Sequence, residues 1–247
     1  MPVPVDGYAD IALGKPAEYG QEIIRRRHRL TMSLLDLDGK VILDFGCGNG
    51  AQTSAFALVP CRVVGIDVDF PNLQMLHQQL HRNGIRSILP VQYDGVHLPL
   101  PDHSVDAVVS FEVLEHVPDE SAALTELRRI LKRGGHAVLT VPNKWWVFET
   151  HGAHLPLLPW NRVPFFSWLP DRFHRRFALA RIYRRRDIVR LVQRHGFTVH
   201  TILYITAPMD VVKVRWLQTL LRRTVFAGDT TRFGVLATSI LVHCTVP

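Results

Sequence analysis

The sequence predicts an α/β chain built as one doubly wound, mostly parallel open sheet, and three observations predict it. From Val41 onward, short apolar runs alternate with helix-length amphipathic segments. The first apolar run ends in a glycine-rich turn. The second ends in an acidic residue. Strands separated by helix-length connections are joined by crossovers, which make neighbours parallel and place helices on both faces of the sheet.

Each element has its own signal. Residues 20–35 read as a helix with a basic cluster, Arg25–Arg29, after a loop-like start. Residues 41–44 form a short apolar strand and residues 62–67 a second one. Leu73, Leu76 and Leu80 fall at helical spacing in residues 72–83, and Gly84 stops that helix. Residues 88–92 and 105–110 read as the third and fourth strands. Leu124, Leu127 and Leu131 share one face of a helix over 120–131, which the pair Gly134-Gly135 is expected to close. A fifth strand follows at 136–141. The alternation then stops: residues 142–180 hold Trp145, Trp146, Trp160, Trp168 and five prolines, with little helical period. It resumes with a helix at 184–195, a strand at 197–205, a helix at 210–222 and a closing strand at 235–243.

The 247 residues suit one large α/β domain, divided as a helical segment (1–40), a ligand-binding core (38–143), an aromatic insertion (143–183) and the remainder of the sheet (184–247). Hydrophobic residues at 47% and charged residues at 21% describe a globular chain rather than a disordered one. No apolar run approaches the roughly 20 residues that span a bilayer. The first eight residues lack a basic start followed by an apolar stretch, so no secretory signal is expected. Cys47, Cys61 and Cys244 are odd in number and widely spaced, giving neither a disulfide framework nor a zinc pattern, which fits a reducing cytoplasm. The formal charge of +7 suits an anionic substrate, an acidic membrane surface or nucleic acid, and equally an arginine-rich solvated surface.

The run Val41-Ile42-Leu43-Asp44-Phe45-Gly46-Cys47-Gly48-Asn49-Gly50 carries the most information. A buried strand enters a turn whose glycines allow close backbone approach, at the carboxyl edge where open α/β sheets bind ligands. Asp67, at the end of the second strand, is placed to accept hydrogen bonds from ribose hydroxyls. The turn reads Gly-x-Gly-x-Gly, not the Gly-x-Gly-x-x-Gly of dinucleotide folds, and Asp44 lies beside it. A carboxylate there suits a cationic ligand better than a diphosphate.

These segments resemble the class I S-adenosylmethionine-dependent methyltransferases, including the ubiquinone-biosynthesis type. Residues 41–50 are similar to their first motif and Gly65-Ile66-Asp67 to their second. Tyr93-Asp94-Gly95 resembles the motif after the third strand, residues 98–106 the run into the fourth, and residues 127–135 the link into the fifth, with Arg133 where the family usually has proline. The resemblance covers about residues 38–143. It implies a Rossmann-like sheet of seven strands with the last antiparallel, and S-adenosylmethionine as methyl donor. It also implies that Asp44, Gly46 and Gly48 line the methionine moiety, Asp67 holds the ribose, Val68 and Tyr93 flank adenine, and Asp94 accepts from the adenine amine. Phe111 and Glu112 would follow the fourth strand at the donor's reactive end.

After the fourth strand, Glu112, Glu115 and His116 stand at i, i+3 and i+4, which converge on a helical turn. Two carboxylates and an imidazole suit a divalent metal, with His151 or His154 as a fourth ligand. The alternative is a metal-free site in which His116 or His151 is a general base or His116 packs structurally. The aromatic insertion suits a hydrophobic acceptor or a small core of its own. Nine arginines between Arg172 and Arg194 suit phosphates, a membrane interface or solvent. Together these readings favour O-methylation of a small or lipid-like acceptor by a cytoplasmic protein, with peripheral membrane contact open and nucleic acid disfavoured. The alternatives are a metal-assisted RNA ribose 2′-O-methyltransferase and a non-catalytic binding protein of the same fold.

Overall fold

A computed structural model describes residues 21–148, 153–155, 158–160, 164–210 and 212–247. Helix α1 (Gln21–Leu34) leads into β1 (Val41–Phe45), β2 (Arg62–Asp67), α2 (Phe70–Arg82), β3 (Ile88–Gln92), β4 (Val105–Phe111), α3 (Glu120–Ile130) and β5 (Leu131–Pro142). A short hairpin, β6 (Ala153–Leu155) and β7 (Leu158–Trp160), precedes α4 (Asp171–Phe177) and α5 (Arg185–Arg194). Then come β8 (Thr198–Thr206), α6 (Arg215–Arg223), β9 (Thr230–Thr231) and β10 (Ala237–Thr245).

The strand order is β3-β2-β1-β4-β5-β10-β8-β9. Strands β3, β2, β1, β4 and β5 run parallel, and β10 is inserted antiparallel between β5 and β8. The order reverses between β1 and β4, so the carboxyl ends of those strands form the crevice in which such sheets hold ligands. Alternate side chains of each strand serve opposite cores. Leu43, Phe45 and Val108 pack with Leu124, Leu127, Ile188 and Val192 of α3 and α5. Ile42, Ala107 and Val109 pack with Ile23 and Leu30 of α1 and with Leu73, Leu76 and Leu80 of α2. A period of two along the strands and about 3.6 along the helices is what this sandwich demands.

Local chemistry sets the helix starts. The Asp69 carboxylate accepts from the Asn72 amide and caps α2, and Asp119 accepts from the Ser121 and Ala122 amides and caps α3.

Four expectations need correction. The sheet has eight strands, not seven: the chain returning from α6 lays Thr230–Thr231 against Tyr204 and Ile205 of β8, continuing a ladder that also includes the Thr206 amide donating to the Asp229 carbonyl at 3.0 Å. Gly134-Gly135 does not close α3. The chain is already extended at Leu131, and the glycine pair lies at an irregularity where the register against β4 shifts between Val105 and Ala107. Helix α6 begins at Arg215 rather than near 210. The insertion after β5 is also more regular than its composition suggests, containing β6, β7, a 3-10 turn at Phe166–Trp168 and α4.

Candidate active site

The turn after β1 is built from backbone. The amides of Gly46 and Cys47 both donate to the Ile66 carbonyl, at 2.8 and 3.0 Å, which locks the glycine turn to the end of β2. Gly46 has φ +77°, and a methyl group on its Cα would lie 2.3 Å from Val113 Cγ2, so only glycine fits. That contact also brings the turn after β4 against the turn after β1. Gly48 differs: its φ is +51°, and a methyl there would meet no protein atom within 4 Å. The backbone at Gly48 therefore faces a space bordered by the crevice, a cradle that a bound molecule can approach closely.

Two carboxylates flank this cradle. Asp44 is buried, and its Oδ2 accepts from the Thr53 hydroxyl at 2.6 Å. Burial, aided by the nearby negative charge of Asp67 and opposed by the Thr53 hydrogen bond, pushes its pKa up to about 7. Asp67 accepts from the Gly48 amide at 2.7 Å through Oδ2 and from the Asp69 amide at 2.9 Å through Oδ1. Each oxygen of an ionised carboxylate can accept a second hydrogen bond, so Asp67 retains capacity for a vicinal diol.

The remaining expected donor residues lie along the same crevice. Val68 is exposed, and a methyl on Gly95 would come within 3.5 Å of its Cγ1. The Tyr93 ring lies 6.0 Å from that of Phe45, and burial raises its phenol pKa to about 12, so it stays neutral. Asp94 is exposed; its Oδ1 accepts from the amides of Val96 and His97, both at 2.8 Å, and these bonds hold the carboxyl below its ordinary pKa. Phe111 is buried at the end of β4.

Glu112 does not continue a helical turn with Glu115 and His116, which corrects the expected helical geometry of this segment. Glu112 has φ +58°, and its amide donates to the Thr140 carbonyl at 3.0 Å, prolonging the β4–β5 ladder. A left-handed residue there breaks the helical i, i+3, i+4 geometry. Glu112 turns to Arg27 of α1, whose Nη2 stands 3.0 Å from its Oε1. Among the described residues no group of three or more His, Cys, Asp and Glu side chains is arranged to hold a metal ion. His151 lies outside the described residues, as does the side chain of His154.

Glu115 is buried, and burial together with the charge of Glu112 pushes its pKa well above the ordinary carboxylate value. His116 Nε2 lies 3.9 Å from Glu115 Oε1. Desolvation lowers the imidazole pKa, outweighing the pull of Glu112, so His116 is neutral at pH 7. Arg181 donates to the carbonyls of Val117 at 2.5 Å and Pro118 at 2.9 Å and pins the turn. One of the nine arginines is thus structural.

Sequence reasoning passed over Thr53 and Arg27. Thr53 sits nine residues after Asp44 with no local pattern between them. Arg27 belonged to a noticed basic cluster, but its partner lies 85 residues away.

Residues 43–139 match the methyltransferase domain family. A probable S-adenosylmethionine-dependent methyltransferase of Mycolicibacterium smegmatis is 33% identical over 138 residues, 55% of this chain and 51% of that protein. A ubiquinone biosynthesis O-methyltransferase of Psychrobacter arcticus is 30% identical over 164 residues, 64% of each chain. The chain spans about half the length of the first curated relatives it matches. A SAM dependent methyltransferase from Aquifex aeolicus shares the fold, with TM-score 0.60 and 13% identity over 90% of this chain and 89% of that one.

Proposed function

We propose that this chain, whose residues 43–139 match the methyltransferase domain family, transfers a methyl group from S-adenosylmethionine to an oxygen of a small, hydrophobic acceptor. The observation that carries this is the contact of Val113 with Gly46, which sets the β4 turn bearing His116 against the cradle of Asp44, Gly48 and Asp67.

The residues present fit the donor. Gly48 leaves room for close approach, Asp44 offers a buried carboxylate to a cationic group, and Asp67 offers two acceptors to the ribose. Val68 and Tyr93 would flank adenine, Asp94 would take its amine, and Phe111 and Gly46 would wall the methionine end. When bound, the donor supplies a methyl on a sulfonium, and the electrons of its S–C bond stay on sulfur as the acceptor oxygen takes the methyl. The protein then has to align the acceptor, exclude water and remove one proton. Neutral His116 takes the hydroxyl proton as general base; His151 is the second candidate for that role. The hydrophobic acceptor is supported by the aromatic segment after β5, in which Trp145 and Trp168 are partly exposed and linked by a Trp168 Nε1–Trp145 carbonyl hydrogen bond of 3.1 Å. Similarity to an O-methyltransferase acting in ubiquinone biosynthesis supports the oxygen.

The test is transfer of labelled methyl from the donor to lipid extracts, phenols and total RNA, with His116→Asn beside the unaltered chain. Product is expected in the lipid or phenol fraction. His116→Asn is expected to lower kcat about 10²–10⁴-fold with donor affinity unchanged. Label only in RNA would contradict the acceptor class, and full turnover in His116→Asn would remove His116 from catalysis.

A further inference from the structure

We propose that α6 is an interfacial helix that seats the protein on an anionic lipid surface. The helix reads Arg-Trp-Leu-Gln-Thr-Leu-Leu-Arg-Arg and none of its residues is buried. Its inner side is nevertheless anchored. Gln218 donates to the Met209 carbonyl at 3.0 Å, Arg222 donates to the Pro208 carbonyl at 2.8 Å and pairs with Asp210, and Leu221 packs on the small cluster of Trp146, Ala207 and Met209. Residues 218, 221 and 222 share one helical face, so the opposite face is directed away from the protein. That outer face carries Trp216, 70% exposed, and Leu220, 51% exposed, one turn apart. Val214 and Val225 extend the exposed apolar strip beyond both ends of the helix.

Charge decides the occupant. Between Asp210 and Asp229 the chain has no acidic residue, and it has Lys213, Arg215, Arg222 and Arg223. Arg222 is taken by Asp210; Lys213, Arg215 and Arg223 are exposed around the tryptophan. An exposed tryptophan and leucine with cations beside them match the boundary between acyl chains and anionic headgroups. At nine residues the helix is too short to cross a bilayer, and among the described residues no helix is long and apolar enough to do so, which leaves an orientation along the surface.

The same pairing of aromatic and arginine continues on the acceptor side. Arg184 lies over the Trp145 ring at 5.9 Å and Arg172 over Phe173 at 4.7 Å. Trp145 adjoins Trp146, on whose cluster α6 rests. A surface seated through α6 therefore holds the acceptor side near the bilayer, where a hydrophobic acceptor dissolves. That last consequence rests on the proposed activity; the attachment does not.

The experiment is co-sedimentation of the full chain with vesicles of phosphatidylcholine alone or mixed with phosphatidylglycerol, without donor. Binding to the mixed vesicles that weakens with salt is expected. Trp216→Ser/Leu220→Ser is expected to lower the partition coefficient by about tenfold or more, with unchanged thermal melting and unchanged donor affinity measured without lipid. Lys213→Gln/Arg215→Gln/Arg223→Gln is expected to weaken binding to mixed vesicles and flatten its salt dependence. No binding to anionic vesicles, or binding indifferent to the Trp216 and Leu220 changes, overturns the proposal. So does a self-associated form that the double variant dissolves in a chain that ignores vesicles. Because donor affinity is read separately, failure here is distinguishable from failure of the methyl-transfer reading.

Discussion

Asp44→Asn is expected to cost donor affinity and to stabilise the free protein at alkaline pH. Both effects come from one buried carboxylate. With its pKa raised from 3.8 to about 7, Asp44 in the folded chain holds a proton that the unfolded chain has already lost between those values. The resulting stabilisation is complete below the unfolded pKa and is lost as pH rises through about 7. At pH 8 the folded protein carries a buried charge whose cost corresponds to about 4 kcal/mol, at roughly 1.4 kcal/mol per pKa unit. An asparagine keeps an oxygen for the Thr53 hydroxyl and removes the charge. Denaturant unfolding at pH 8 should therefore show the variant more stable, by up to that amount; the gain should shrink to about 1.5 kcal/mol at pH 5 and vanish only below about pH 4. A cationic donor reverses the balance, because it favours ionised Asp44. Binding to the unaltered chain should weaken by up to about tenfold per unit as pH falls below 7, whereas Asp44→Asn should bind about 10–100-fold more weakly with no such slope. Equal affinity and equal pH dependence in the two proteins would detach Asp44 from the donor.

The second large effect concerns α1. Arg27 is almost wholly buried, reaching Glu112 at 3.0 Å and the Ser239 hydroxyl at 3.2 Å. Its neighbour Arg26 donates to the carbonyls of Thr206 at 2.8 Å, Ala207 at 3.3 Å and Phe226 at 3.2 Å. The helix is thereby bolted to the ends of β4, β8 and β10 at the edge that carries the site. Arg27→Met removes one charge and leaves the Glu112 carboxylate in a poorly solvated place. Breaking such a pair costs about 3–5 kcal/mol, and in a chain of this size each kcal/mol shifts the melting temperature by about 2–4 °C. A fall in Tm of about 6–20 °C is expected. Arg27→Met/Glu112→Gln should recover part of it, because the second change removes the carboxylate charge that Arg27 faces. A drop below about 2 °C for Arg27→Met alone would show that the pair contributes little.

Legibility followed the range of the interactions. Strands β1 to β4 and helices α2 and α3 were readable because apolar periodicity, Asp or Gly at helix ends and the glycine turn are local. The position of Asp44, Asp67 and Phe111 at strand ends was readable because apolar runs ending in a polar or glycine-rich turn are local signals. Gly134-Gly135 misled because a glycine pair serves a strand irregularity as well as a helix end, and the neighbouring strand β4 decided which. The turn at Glu112, Glu115 and His116 departs from its expected helical geometry for a related reason. Their spacing is helical, but the Glu112 amide completes a ladder with Thr140 and its carboxylate meets a buried arginine from the first helix, and neither partner is near in sequence. Strand β9 has two residues and no periodicity to read. The start of α6 was set by Leu221 and Gln218 finding their partners rather than by a capping residue.

The central claim is that the crevice beside Asp44, Gly48 and Asp67 holds S-adenosylmethionine and its demethylated product. Titration calorimetry with S-adenosylhomocysteine and, separately, NADH tests it most directly, using the unaltered chain and Asp67→Ala. One-site binding of S-adenosylhomocysteine is expected, weakened about 10–100-fold in Asp67→Ala through the loss of hydrogen bonds to a charged group, with no heat from NADH. Binding of NADH in place of S-adenosylhomocysteine, or S-adenosylhomocysteine affinity indifferent to Asp67→Ala, would contradict it.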